Sequence, residues 1–127
     1  MAEKKFSKEH EWIEKSDQII IVGITEFAQD QLGDIVSIEL PQVSSSFKQK
    51  DVMAIIDSVK ASSDLYCPVD GEIIEVNEKL LEHPELINQS PFEEGWVVKI
   101  KPNNPEQIDS LLSKEQYDKL VGQNKEQ

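Results

Sequence analysis

Hydrophobic residues fall along this chain in short runs bounded by Gly, Pro, Asn or Ser, a pattern of strands and turns. Gln18-Ile-Ile-Ile-Val22 is β-branched almost throughout and predicts a strand. Phe6-Ser-Lys-Glu-His-Glu-Trp-Ile13, charged but apolar at 6, 12 and 13, reads as an edge strand. Asp34-Ile-Val-Ser-Ile-Glu-Leu40 alternates enough for another, ended by Pro41. Further strand-like runs cover 51–56, 71–76 and 96–100. Val43-Ser-Ser-Ser-Phe-Lys-Gln-Lys50 predicts a polar loop anchored by Phe47, and Pro68-Val-Asp-Gly71 a β-turn.

Helical signals are fewer and shorter. Thr25 predicts the N-cap of a helix from Glu26 to about Leu32, with Phe27, Ala28, Gln31 and Leu32 on its apolar side and Gly33 as its stop. Asn77 predicts the cap of a short helix through Leu81, and the connection 82–95 carries a turn of helix near 85–87. Asn104-Pro105 opens a helix lined by Ile108, Leu111 and Leu112. Ser113 and Gln116 make a capping box for a final helix whose Tyr117, Leu120 and Val121 share a face. Gly122 is expected to end it, with disorder from 123 onward.

The expected fold is therefore mainly β. One domain is expected over 1–127, with a core about 5–101 and a helical segment about 104–122. A faint repeat supports a sandwich of two similar halves. Gly33-Asp-Ile-Val-Ser-Ile38 and Gly71-Glu-Ile-Ile-Glu-Val76 share the order Gly, acid, two branched aliphatics, polar, aliphatic.

Charge narrows the function classes. Lys plus Arg number 13 against 25 Asp plus Glu, a net charge of −12, which excludes a nucleic-acid binder that must face phosphates. The same charge suits a protein steered onto basic patches of its partners. One cysteine leaves no internal disulfide framework, and no apolar run approaches the length that spans a membrane. The start, Met-Ala-Glu-Lys-Lys-Phe, has neither a signal core nor transit character, so the cytoplasm of a prokaryote is the expected place. No phosphate-cradling loop, nucleophile elbow or metal-ligand set is present. His10-Glu11 lacks a second His four residues on, where Glu14 stands, so the zinc-protease reading fails. Cys67 reads as a small half-buried residue, with a Cys–His pairing left open.

One stretch remains: Asp57-Ser-Val-Lys-Ala-Ser-Ser-Asp-Leu-Tyr-Cys-Pro68, between the runs 51–56 and 71–76. Two β-rich runs joined by a polar segment predict a hairpin or its equivalent, with Lys60 near the tip among small neighbours. The plain alternative is a solvated charge. The nearest charges, Asp57 and Asp64, are anions that favour the ammonium form, so Lys60 is not activated from within. A functional Lys60 must be acylated by another enzyme.

The segment 57–77 resembles the lipoyl-lysine region of the glycine cleavage system H protein family. Other blocks follow the same family in the same order: His10-Glu-Trp12, Val22-Gly-Ile-Thr25 with Ala28-Gln29, Leu32-Gly-Asp-Ile-Val36, Glu39-Leu-Pro41, Pro84-Glu-Leu-Ile-Asn88, and Glu94-Gly-Trp96 with Lys99-Ile-Lys101. The resemblance implies a lipoyl/biotinyl-type β-sandwich, or flattened barrel, with a short internal helix and C-terminal helices. It implies lipoate in amide linkage to Lys60 and no catalytic or metal site. The implied partners are glycine decarboxylase, aminomethyltransferase, dihydrolipoamide dehydrogenase and a lipoate ligase or octanoyl transferase, meeting a monomer. It also implies a cleft for the loaded arm, with Glu11 and Glu9 as acceptors, Phe27 and Leu32 as apolar contact and Asp64 beside the lysine. Biotin carriers flank their lysine with methionines, whereas Val59 and Ala61 stand here. The alternatives are an H-like lipoate-relay carrier and an interaction module that is never acylated. Two departures stand out: Asp57 replaces the usual glutamate three residues before the lysine, and the 44–50 loop lacks the usual glycines, which predicts an altered turn.

Overall fold

The computed structural model describes residues 4–125. Strands β1 (Lys4–Phe6) and β2 (Glu11–Ser16) pair antiparallel through a turn in which His10 takes a φ of 69°. The edge strand expected over 6–13 is thus two, because the chain reverses where Ser7 N–H donates to Glu11 O at 2.9 Å. Strand β3 (Ile19–Ile24) buries Ile20, Val22 and Ile24 on one face. Gly23 pairs with Trp12, and a Cβ there would stand 2.7 Å from the indole Nε1, so only glycine admits the ring. Helix α1 (Glu26–Leu32) is capped by Thr25, whose Oγ1 accepts from Ala28 N at 3.2 Å, and it stops at Gly33.

The chain continues through β4 (Ile35–Glu39), β5 (Ser46–Phe47), β6 (Val52–Ser58), β7 (Ser62–Tyr66) and β8 (Gly71–Val76). Helices α2 (Lys79–Glu82) and α3 (Leu86–Gln89) lead to β9 (Val98–Pro102), α4 (Glu106–Asp109) and α5 (Lys114–Lys125). Two antiparallel sheets result, ordered β1-β2-β3-β9-β8-β5 and β4-β6-β7. Ile13, Ile20, Val22, Ile73 and Ile100 of the larger sheet pack with Ile35, Ile38, Ala54, Ile56 and Leu65 of the smaller, giving the mainly β sandwich that the sequence predicts. A second cluster of Phe6, Trp12 and Tyr117 ties α5 to β1, with Phe6 stacked on Tyr117 at 4.8 Å.

The internal repeat has a structural counterpart. Its copies are β4 and β8, one in each sheet, and the register of each slips at the same repeat position, between Ile35 and Ser37 and between Ile73 and Glu75. The residues skipped, Val36 and Ile74, are both solvent-exposed, while Ile35 and Ile73 are buried.

Several local expectations are corrected. The hairpin flanking Lys60 is β6–β7, not the runs 51–56 and 71–76; β8 pairs instead with β9 and β5. The side chain of Asn77 does not cap α2; its Nδ2 donates to Glu94 O and Trp96 O, both at 2.8 Å, and so braces the long connection. Asn104 receives Gln107 N–H through its backbone carbonyl. Helix α5 passes Gly122 and runs to Lys125, so of the tail expected to be disordered 123–125 are helical and 126–127 lie outside the described residues. The Ser113–Gln116 capping box forms as expected, with reciprocal bonds of 2.9 and 3.2 Å.

Candidate functional site

Lys60 stands at the tip of the β6–β7 hairpin and is exposed, as are Val59 and Ala61. The turn closes on Ser58. Its N–H and its hydroxyl both donate to Ala61 O, at 2.8 and 3.0 Å, and its Oγ accepts from Lys60 N at 3.2 Å and Ala61 N at 3.1 Å. Just below, the Asp57 carboxylate accepts from Ser37 of β4 at 3.2 Å and from Ser62 of β7. That aspartate thus braces the tip across all three strands of the smaller sheet. Among the described residues no salt bridge engages Lys60.

The tip leans on the C-terminal end of α1. Val59 N–H donates to Asp34 O at 3.0 Å. A methyl group built on Gly33 would stand 3.4 Å from Lys60 Cε and 3.8 Å from Cδ, so the lysine stem lies over bare backbone there. Leu32 precedes that seat, half-buried against the main core.

The other expected cleft residues lie apart from this tip. Glu9 is exposed, beside His10, whose ring meets Phe27 at 4.7 Å and whose Nδ1 meets Tyr117 Oη at 2.8 Å. Burial lowers the His10 pKa, opposed by the nearby Glu9 carboxylate. Asp64 is exposed on β7, opposite Ile55. Glu11 sits beneath the surface, 1% exposed. Its Oε1 accepts from Ser7 Oγ at 3.0 Å and its Oε2 from Tyr66 N at 2.7 Å, which stitches β2 of the larger sheet to the root of β7 in the smaller. Burial pushes its pKa up to about 8 against the pull of those two bonds, so at neutral pH it is largely the neutral acid.

The residue that sequence reasoning passed over is Asn88. It is half-buried on α3, and its Nδ2 donates to Gln29 Oε1 at 2.8 Å and Gly33 O at 2.9 Å. Its Oδ1 accepts from Ile35 N at 2.9 Å. The available signal was an amide next to an apolar residue, Ile87, that proves fully buried.

The glycine cleavage H-protein family model matches residues 4–124. The chain belongs to the glycine cleavage H-protein family. It is 54% identical over 117 residues to the glycine cleavage system H protein of Symbiobacterium thermophilum, covering 92% of this chain and 91% of that one. Identity to the namesake from Carboxydothermus hydrogenoformans is 50% over the same length, covering 92% and 90%. The crystal structure of a glycine cleavage system H protein from Mycobacterium marinum matches with a TM-score of 0.88 at 30% identity, over 94% of this chain and 97% of that one.

The 44–50 loop contains no glycine. Ser44 and Lys50 hold φ values of 77° and 76°, the left-handed region that glycine favours. In this loop, non-glycine residues bear the conformation that glycine favours. Cys67 does not meet a histidine: it is buried, its Sγ–H donates to Val69 O at 3.0 Å, and burial pushes the thiol up to about 12. His83 is exposed and pairs with Glu85 at 3.2 Å. Among the described residues no group of His, Cys, Asp and Glu could hold a metal ion, and no helix is long and apolar enough to cross a membrane.

Proposed function

We propose that this chain is the lipoyl-lysine carrier of glycine cleavage, shuttling the aminomethyl group of glycine between glycine decarboxylase and aminomethyltransferase. The observation that carries the proposal is the family match across 4–124 together with an exposed, uncommitted Lys60 at a hairpin tip. The relatives are named for glycine cleavage, which is why this reading stands ahead of lipoate relay. The residues fit the group: Lys60 Nζ is reachable, and Ala61 and Ser62 beside it are small and exposed. When attached to Lys60, lipoate would supply a disulfide to take up the aminomethyl group, and passing that group to aminomethyltransferase would leave a dithiol for dihydrolipoamide dehydrogenase to reoxidise. A lipoate ligase or octanoyl transferase must first acylate Nζ, since nothing around Lys60 activates it.

This chain's own part is presentation and shelter rather than catalysis. Helix α1 spans about 10 Å, with Lys60 at its C-terminal end and Phe27 near its N-terminal end. A lipoyl-lysine of about 14 Å could lie along it. Leu32 and Phe27 would give that arm apolar contact, and Glu9 and Asp64 would offer carboxylates to a cationic amine. Glu11 would serve from below, holding Tyr66 and with it the base of the hairpin. The acidic surface would speed encounter with basic faces of the partner enzymes. The protein would work as a monomer in the cytoplasm.

Intact-mass measurement after treatment with a lipoate ligase tests the reading. The wild type should gain one lipoyl mass and Lys60→Arg none. Equal gain in the Arg variant, or no gain in the wild type, would overturn it.

A further inference from the structure

We infer that Asn88 is a positioning residue for Lys60, acting through Gly33 and Asp34 to fix the direction in which the lysine leaves the hairpin. The inference rests on the carrier reading above and adds to it the device that aims the modified side chain. The hairpin turn is self-closed through Ser58, but those bonds say nothing about where the tip points relative to the rest of the molecule. Pairing of β4 with β6 and the Asp57 brace hold the base of the hairpin, while the tip residues themselves meet the body of the molecule through Val59 N–H on Asp34 O and the lysine stem over Gly33. Both belong to the short segment that leaves α1.

That segment turns on one residue. Gly33 has φ 77° and ψ −151°, a conformation essentially confined to glycine. Asn88 braces residues 33–35 from outside, with both the donor and the acceptor of its amide. One amide proton goes to Gly33 O and the other to Gln29 on the last turns of α1, while the carbonyl takes Ile35 N–H at the start of β4. A single side chain on α3 thereby locks helix end, glycine and strand start into one frame. Lys60 rests on that frame.

Acylation requires the free-base Nζ to attack the carbonyl carbon of an activated acyl donor, here an acyl adenylate. The amide bond forms, the nitrogen loses a proton and adenylate departs. Such a step is sensitive to the approach direction of the nitrogen, and misplacement by about 1 Å can cost two orders of magnitude. An acylating enzyme that receives the whole folded carrier reads the direction of the stem; a small reagent that diffuses freely does not.

The test uses the unmodified full chain. In the wild type, NMR should show a nuclear Overhauser contact between Gly33 Hα and Lys60 Hε. In Asn88→Ala the contact should vanish, and kcat/KM for enzymatic lipoylation should fall about tenfold. The rate of Lys60 acetylation by N-hydroxysuccinimidyl acetate should stay within twofold of wild type. Asn88→Asp keeps the acceptor for Ile35 N but loses both donated bonds, and it should behave like the alanine variant. A persisting contact with an unchanged enzymatic rate would overturn the inference, as would an equal fall with the small reagent. If Asn88→Ala does not fold, the wild-type contact and Asn88→Asp decide. If wild-type Lys60 is never lipoylated, the carrier reading falls while the contact still settles the positioning.

Discussion

The turn at 58–61 and the loop at 44–50 are both free of glycine, and they solve that constraint in opposite ways. The lysine turn places none of its residues at positive φ and takes its shape from the Ser58 side chain. The loop holds Ser44 and Lys50 in the left-handed region and is kept there by neighbours: Ser44 N–H donates to Ile73 O and Lys50 N–H to Cys67 O, each at 2.7 Å. One segment is relaxed and self-made, the other strained and imposed. The lysine proposed to carry lipoate sits on the relaxed one, whose turn closes through its own residues. The loop's conformation depends on strands remaining where they are.

The largest expected effect lies at the root of the lysine hairpin, where Glu11 holds Tyr66 N. Its carboxyl binds a proton more tightly folded, near pH 8, than its ordinary value of 4.5. Unfolding therefore releases that proton between those values, and stability should fall as pH rises through the window, by at most about 1.4 kcal/mol per unit. Glu11→Gln cannot titrate and keeps an acceptor for Tyr66 N, while its amide reverses the bond with Ser7 by donating to Ser7 Oγ. Denaturant titrations from pH 5 to pH 8 should show a falling stability in the wild type and a flatter one in the variant. Parallel curves would separate Glu11 from the hairpin's support.

Next in size is the test of the self-made turn. Ser58→Ala removes an acceptor for two backbone amides and should cost about 1 kcal/mol. Amide exchange at Lys60 and Ala61 should quicken while exchange at Ser44 and Lys50 stays as it was. Unchanged exchange at the tip would mean that the turn's shape comes from elsewhere.

The smallest effect has the opposite sign. A left-handed conformation costs a non-glycine residue about 1–2 kcal/mol, partly offset by the greater freedom glycine has when unfolded. Ser44→Gly and Lys50→Gly should each stabilise by up to about 1 kcal/mol, read as a raised denaturation midpoint. Destabilisation by both would show that the loop carries no strain.

Legibility followed how local each signal was. The Thr25 and Ser113 caps were readable because a cap needs only residues within one turn of helix. Strand β7 was not, since Ser-Ser-Asp-Leu-Tyr has little strand character and is held extended by pairing with β6 and by Glu11 at Tyr66. The position of Lys60 followed from its flanking pattern, whereas the seat beneath it joins residues from α1, α3 and β4 that are distant in sequence. Glu11 was expected, by resemblance, as an acceptor in the arm cleft; only the fold reveals partners for both its oxygens in the interior. The faint repeat, weak as a sequence pattern, turns out to mark matching bulges in two sheets.

The buried thiol of Cys67 has one further consequence. A carrier of a cyclic disulfide keeps an oxidant tethered to its own surface, and any thiolate within reach would open it and trap the arm as a mixed disulfide. Burial pushes its pKa up to about 12, so Cys67 stays a thiol at pH 7, and it lies beneath the surface with its proton directed at Val69 O. The chain thus keeps its one thiol out of exchange chemistry, so the redox state of the cargo is left to other proteins.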